Sequence, residues 1–425
     1  MTSSLLFTGS TVGSVVGTIL LERIVNFLGR FYPFLDQHTY LPVVPFFDRL
    51  FTKNVPAALP CGVGYSPAKA RFSSLVLGCL LHPLFFIVMG TARNYPALLM
   101  AYVIAAFARS FWTGERLNFY VVSTPKKPLG VLLGCWCIGS FSAPLVCQTL
   151  MAEGISWKHF YLGSLVISAI ALSLTIFSFR PTRDEFLADR KVALDTMQIS
   201  PSAHIPGTET MIQPSNAEKV RESSARTLLL ALSMPYQWAF SLFAFIYGGS
   251  ETTFQGFIVT YLLTNRGSSP NTVGYVSSGF WGGMAAGRIL WGYYCTGSVA
   301  VYRHGLVSFL MCVSFLMTIL IWLVDSTIEN ALSSVVVGLM YGPIFPGTLG
   351  LCNDILPRDV HMVSMAILTA VASAGSAVLP FITGIISNKD GMRVFCYVTV
   401  SQTVSMFVLW LFFPSSPPAR VSSPA

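Results

Sequence analysis

Eleven apolar runs, each about as long as a membrane-spanning helix, divide the chain. A bilayer core about 30 Å thick needs about 20 apolar residues in helical form. Helices are favoured because lipid offers the backbone no hydrogen-bond partner. We therefore predict eleven spans, at residues 4–21, 72–90, 96–120, 129–151, 160–179, 238–263, 273–293, 306–324, 331–351, 362–386 and 394–413.

The composition agrees with this pattern. Hydrophobic residues make up 53% of the 425 residues, charged residues make up 10%, and the mean hydropathy is +0.64. A soluble chain of this length carries about a quarter charged residues, because its surface must be hydrated. Most of the surface must therefore meet lipid, and we predict an all-α, multi-pass membrane protein.

The distribution of basic residues predicts how the spans are oriented. The chain has 26 Lys and Arg against 18 Asp and Glu. No basic block is interleaved with aromatic residues, so we do not expect nucleic acid as a partner. With the C-terminus in the cytoplasm, 21 of the 26 basic residues fall on the cytoplasmic side, where short loops retain them. We predict that orientation, an outer N-terminus, and a place in the plasma or vacuolar membrane.

The sequence carries no motif of catalysis. Its nine cysteines include no CxxC pair and no Cys/His cluster at zinc spacing, and six of them fall inside apolar runs. A phosphate-binding loop with its lysine and a nucleophile elbow are also missing from the sequence. We therefore predict no enzymatic activity, no cofactor and no metal, and we interpret the cysteines as small core residues.

Two polar segments interrupt the apolar runs. Residues 180–235 include seven basic and seven acidic residues, and we predict a cytoplasmic linker with little fixed structure. Residues 31–69 hold six prolines and no helical period. They are either a long loop or non-coding sequence retained in the gene model. The predicted organisation is an N-terminal bundle of five spans at 1–179, the linker, a six-helix bundle at 236–414 and a cytoplasmic tail at 415–425.

Several motifs resemble those of the major facilitator superfamily. GFWGGMAAGR at 279–288 resembles the glycine-rich signature at the cytoplasmic end of the second span of each half. Glu22-Arg23 followed by Gly29-Arg30 is similar to its first-half copy, spread wider and with Glu for Asp. Four further segments resemble the fungal branch near the fucose permeases. They are YGGSE at 247–251, GFIVTY at 256–261, GPIFP at 342–346 and NFYV at 118–121.

The resemblance implies a two-bundle secondary transporter of a small polar solute that works by alternating access and is coupled to protons. It also implies a monomer in lipid, whose first span is absent here. Two positions depart from the branch: Gly114, with Glu115 beside it, replaces an acidic residue, and Leu133 replaces a histidine. The competing hypothesis is a degenerate paralogue that does not transport, or a receptor-like sensor that binds solute without cycling.

Glu251 is the acidic residue nearest the middle of a predicted span. An ionised carboxylate there costs about 3 kcal/mol, so it must face a cavity, pair with a cation or stay protonated. We predict that it binds the solute or the coupling proton. Tyr247 and Gln255 lie four residues to either side and share its helix face, so they would extend a polar stripe. The alternative is a structural carboxylate with a buried partner such as Arg109.

The predicted span at 96–120 carries further polar groups in its cytoplasmic half. Arg109 could bind an anionic group or the Glu251 carboxylate, and Asn118 could donate a hydrogen bond to a solute hydroxyl. Trp281 and Tyr341 are candidate cavity aromatics, with core packing as the alternative.

The resemblance implies a gating role for three arginines. Arg288 would pair with an acidic group across the bundle in one state and release it in the other. Asp354 and Asp359 are possible partners, and a plain helix-end anchor is the alternative. Arg23 and Arg30 are the corresponding gate residues of the first half.

Overall fold

The computed structural model describes residues 2–29, 66–92, 94–113, 127–181, 185, 188–189, 191, 227–294, 300–357 and 360–414. Every described element of regular structure is a helix, which confirms the predicted all-α class. In each of the eleven apolar runs, the described residues lie almost entirely in a helix or a broken helix, and residues 114–120 of the third run lie outside the described part of the chain. The helices are α1 (Thr2–Gly29), α2 (Pro67–Leu81), α3 (Pro83–Thr91), α4 (Tyr95–Thr113), α5 (Lys127–Ala152), α6 (Trp157–Phe179), α7 (Pro235–Asn265), α8 (Gly274–Tyr294), α9 (Ala300–Leu323), α10 (Thr327–Ile355), α11 (His361–Asp390) and α12 (Val394–Leu411).

Most of these helices are long and apolar enough to cross a membrane. Within the described residues, eight helices meet that test, with α2 and α3 joined as the single helix Ala68–Thr91. The number rises to ten if each of two bent helix pairs is counted as one span. One of those pairs joins α7 to the helix Thr227–Ser233 at an angle of 80°. The remaining predicted span is α8, whose glycines, serines and Arg288 lower its hydropathy. The protein is therefore an integral, multi-pass membrane protein.

The helices form two compact units. One consists of Met1–Thr11, Leu117–Tyr161 and Pro214–Ala425, and the other of Val12–Arg116 and Leu162–Gln213. The sequence predicts α5 in an N-terminal bundle, but in the structure α5 packs along α8 and falls in the same unit as α7 to α12. Most of the predicted linker and all of residues 31–65 lie outside the described residues.

In the smaller unit, α4 is the central helix. Gly13 of α1 lies directly against the backbone carbonyl of Val103 on α4, and Gly78 of α2 lies against the Trp112 indole. The span formed by α2 and α3 breaks at His82, immediately before Pro83. This break follows from the proline ring, which lacks a backbone N–H and disfavours helix at the preceding residue.

In the larger unit, glycines allow two pairs of helices to approach closely. A Cβ atom at Gly338 of α10 would lie 2.0 Å from the carbonyl oxygen of Phe280 on α8. A Cβ at Gly375 of α11 would lie 1.9 Å from the carbonyl oxygen of Phe245 on α7. Without a driving force for apolar burial in lipid, such backbone contact between helices is what holds a membrane bundle together. The contacts fix α8 against α10 and α7 against α11.

The Gly338 contact makes a testable prediction about stability. Gly338→Ala forces a methyl group into the Phe280 carbonyl, and we expect it to lower the free energy of unfolding by about 1–3 kcal/mol, as overpacking does. Gly139→Ala on α5 is the matched control, because among the described residues no atom beyond its own stretch of helix lies within 4 Å of its Cβ position. Thermal unfolding of the two purified variants in detergent compares them directly. Equal midpoints would contradict the proposed contact.

Candidate functional site

The centre of the larger unit holds an ion pair between α7 and α8. A guanidinium nitrogen of Arg288, Nη2, lies 3.6 Å from Oε2 of Glu251. The side chains are 3% and 12% exposed, respectively. Glu251 lies at the middle of the 31-residue helix α7. The pair is therefore a charged site inside a helical bundle, with the carboxylate as its more accessible member.

Packing between α7 and α8 sets the register of this pair. The rings of Phe254 and Phe280 stack with centroids 5.0 Å apart. One position further along each helix, Trp281 Nε1 donates a hydrogen bond to Gln255 Oε1 at 3.1 Å. Glu251 lies one turn before Gln255 on α7, and Arg288 lies two turns after Trp281 on α8. These contacts hold the two helices together beside the ion pair.

The predicted polar stripe on α7 is directed towards this site. Gln255 accepts from Trp281, Glu251 pairs with Arg288, and the phenol of Tyr247 lies beside both charged groups. Tyr247 also donates a hydrogen bond to the backbone carbonyl of Tyr341 at 3.2 Å. Helical periodicity therefore identified three residues that the structure brings together.

Tyr341 connects α7, α10 and α12 beneath the ion pair. Its hydroxyl lies 2.8 Å from Ser250 Oγ and 3.2 Å from Thr403 Oγ1, and all three residues are buried. A buried phenol needs such partners, since an unpaired polar group in a bundle is costly. Tyr341 and Trp281, both predicted as candidate cavity aromatics, are only 2% and 7% exposed. Each makes a specific hydrogen bond within the bundle.

Arg288 also contacts α5, and no sequence pattern predicts this contact. Its Nη1 donates to the Cys137 thiol at 2.9 Å, and its guanidinium carbon lies 5.9 Å from the centre of the Trp136 ring. Arg288 Nε is buried and has no hydrogen-bond partner among the described residues. A cysteine inside an apolar run is usually a core residue, and Cys137 was interpreted in that way. The guanidinium thus joins α5 to α7 with few strong hydrogen bonds of its own.

Two predicted pairings of charged residues are corrected. The cation beside Glu251 is Arg288, not Arg109. Arg109 belongs to α4 of the smaller unit, where it is exposed and lies within electrostatic range of His82 and Tyr102. Arg109 was a possible partner only under the structural alternative for Glu251, and neighbouring helices cannot be read from a single sequence.

The partner proposed for Arg288 is also different. Asp354 forms an ion pair with Arg303 on α9 instead, and Asp359 lies outside the described residues. Of the other predicted gate residues, Arg23 is exposed on α1. The described residues do not include Arg30, Asn118 or Glu115.

Taken together, these features define a class: a multi-pass helical membrane protein with a charged pair at mid-depth in its helical bundle. The sequence profile of the Major Facilitator Superfamily matches residues 240–425. The match covers less than half of the chain, and it agrees with the predicted resemblance to this superfamily.

Comparison with individual proteins gives one long and one short sequence match. The chain is 23% identical over 324 residues to Bypass of stop codon protein 6 of Saccharomyces cerevisiae, covering 71% of this chain and 60% of that protein. It is 30% identical over 155 residues to the Glucose/mannose transporter GlcP of Bacillus subtilis, covering 36% of each chain. The matches thus span about 60% and 36% of the lengths of these relatives.

Solved structures show the same fold. Two structures of FucP match over 97% of both chains at 13% sequence identity. One is a variant of the Escherichia coli fucose:proton symporter, with a TM-score of 0.54, and the other is FucP in the outward conformation, with a TM-score of 0.53. At this identity the likeness concerns the fold alone.

Proposed function

We propose that the chain is a secondary transporter that moves a small polar solute across a membrane by alternating access, coupled to protons. The observation that carries the proposal is the Glu251–Arg288 pair. Burying two charges in a bundle costs several kcal/mol per ion, and Coulomb attraction offsets this only when the geometry is good. The separation of 3.6 Å is too long for a good hydrogen bond. An ion pair with this separation contributes little to stability, and its charged groups remain suited to binding a ligand.

The proton would act on Glu251. The carboxylate keeps a small exposed fraction, through which a proton or solute could reach it. Once protonated, Glu251 no longer attracts Arg288, and among the described residues the guanidinium keeps the Cys137 thiol, the Tyr247 phenol and the Trp136 ring as partners. Because Arg288 also contacts α5, its release would change the packing of α5 on α8. This coupling is the gating role proposed for Arg288.

The names of two related proteins support the proposal. GlcP is described as a glucose/mannose transporter and FucP as a fucose:proton symporter. The match of residues 240–425 to the superfamily profile favours a solute and a proton as the ligands of this chain too. We further propose a monomer in lipid, with its C-terminus in the cytoplasm and Arg23 and Arg30 in the gate of the first half.

An uptake assay tests the proposed function. Purified protein in liposomes is given an inward proton gradient and a panel of labelled hexoses, polyols and small carboxylates. Accumulation of at least one solute above its external concentration, abolished by a protonophore, is the expected result. Liposomes without protein are the control. Binding of a solute without any movement across the bilayer would contradict transport and support a sensor.

A further inference from the structure

We propose that the solute is a small carboxylate, which binds Arg288 in place of Glu251 while Glu251 takes up the proton. This proposal rests on the proposed function and deepens it by naming the class of solute. It follows from the groups around the ion pair, where hydrogen-bond donors outnumber acceptors. An excess of donors favours an anion as the ligand.

Arg288 has more donors than the bundle uses. A guanidinium offers five N–H groups. Within the described residues, its partners are the Cys137 thiol, which is a weak acceptor, and the phenol oxygen of Tyr247. The Glu251 carboxylate lies beyond hydrogen-bond distance, and the buried Nε–H has no partner there. An unsatisfied donor on a buried arginine is costly, and a bound acceptor would remove that cost.

Gln255 adds further donors to the same site. The Trp281 indole can only donate, so the Gln255 amide must present its oxygen to it. The amide NH₂ group therefore faces away from Trp281. No hydrogen bond from this NH₂ group is found within the described part of the chain. One turn from Glu251, the site thus presents two more N–H groups.

The acceptors in the site are few. Among the side chains that the structure describes around Arg288, the acceptors are one carboxylate, a thiol, and the phenol of Tyr247, whose proton is already donated to a backbone carbonyl. A carboxylate has two acceptor oxygens in a plane, and it matches the planar fork of a guanidinium. A neutral polyol brings donors as well as acceptors, and would have to place those donors where little but Glu251 can accept. The donor excess favours the anion.

Charge balance gives the step a definite stoichiometry. Before binding, Arg288 and Glu251 together carry no net charge. The incoming solute brings one negative charge to Arg288, and one proton from the solvent forms an O–H bond on the freed Glu251 carboxylate. The loaded site is again neutral, so both the empty and the loaded protein avoid a net buried charge during reorientation. One proton therefore accompanies each monocarboxylate, and transport is electroneutral.

Matched probes test the solute class by binding. The purified full chain is titrated with D-gluconate and D-glucitol, which share a carbon skeleton, and with L-lactate and propane-1,2-diol. We expect at least one of the two carboxylates to raise the unfolding temperature in a saturable manner, more strongly as the pH is lowered, and the neutral probes to have no effect. In the variant Glu251→Gln/Arg288→Gln, the charge-assisted hydrogen bonds to Arg288 are lost, and that carboxylate should bind at least about tenfold more weakly.

Variants separate the site from general effects. Glu251→Gln/Arg288→Gln removes both charges together, so that no unpaired charge is left buried if the single variant fails to fold. Arg303→Gln/Asp354→Asn is the matched control, because it neutralises another buried arginine and its carboxylate outside the site. We expect carboxylate binding to be lost in the first double variant and kept in the second.

Several results would overturn the proposal. They are stabilisation by the neutral probes equal to that by the carboxylates, undiminished carboxylate binding in Glu251→Gln/Arg288→Gln, or no response to either carboxylate. Proton-coupled uptake of a neutral sugar would overturn the solute class and leave the transporter standing. Site-dependent carboxylate binding without any uptake would support the solute class and contradict the transporter.

Discussion

Arg288→Gln is expected to destabilise the protein more than any other single substitution in the larger unit. The change leaves the Glu251 carboxylate buried in the bundle without its cation. Breaking a buried ion pair by removing one partner typically costs about 3–5 kcal/mol. We expect a loss of this size in thermal or denaturant unfolding of the purified protein in detergent.

A second variant separates loss of the pair from loss of packing. Adding Glu251→Gln to Arg288→Gln removes the unpaired charge, so most of the lost stability should return. Replacing both members of a buried pair is often nearly neutral. If the double variant is as unstable as the single one, the contacts of Arg288 with Cys137 and Trp136 matter more than its charge, and the ion pair is not the central feature of the site.

The second large effect concerns transport. Glu251→Gln keeps the size and shape of the side chain but cannot take up or release a proton. With one proton per solute, each 1.4 kcal/mol of proton gradient supports about tenfold accumulation. We expect the variant to lose this accumulation, so that the solute inside the liposome never exceeds its external concentration.

Solute exchange provides the internal control for that experiment. Exchange of labelled for unlabelled solute needs reorientation of the loaded protein but no net proton movement. It should persist in Glu251→Gln, because a neutral glutamine resembles the protonated carboxyl group. Loss of exchange together with accumulation would indicate that Glu251 is needed for solute binding or folding, and would argue against a specific role with the proton.

The positions of the helices could be predicted from the sequence because each run needs only enough apolar residues to cross lipid. The face shared by Tyr247, Glu251 and Gln255 could be predicted for a similar reason, since helical periodicity is a local property. All three side chains lie at the α7 side of the site. Depth in the bilayer and helical face were thus sufficient to find the acidic half of the ion pair.

The basic half could not be found in the same way. Arg288 is near the predicted cytoplasmic end of α8, and this position suggested a gate residue paired with a loop carboxylate. A long side chain can reach a full turn from its own Cα, and the tilt of α8 against α7 is set by contacts such as Phe254 with Phe280. Such contacts between helices leave no periodic signal in one sequence. For the same reason, Cys137 and Trp136 of α5 were missed.

The central claim is that Glu251 carries the proton that moves with the solute. Solute-driven proton movement measures this most directly, with a pH-sensitive dye outside liposomes that contain the purified protein. When a transported solute is added without an imposed gradient, the wild-type protein should make the external solution more alkaline, and Glu251→Gln should leave its pH unchanged while exchange continues. Alkalinisation of equal size in Glu251→Gln would contradict the claim.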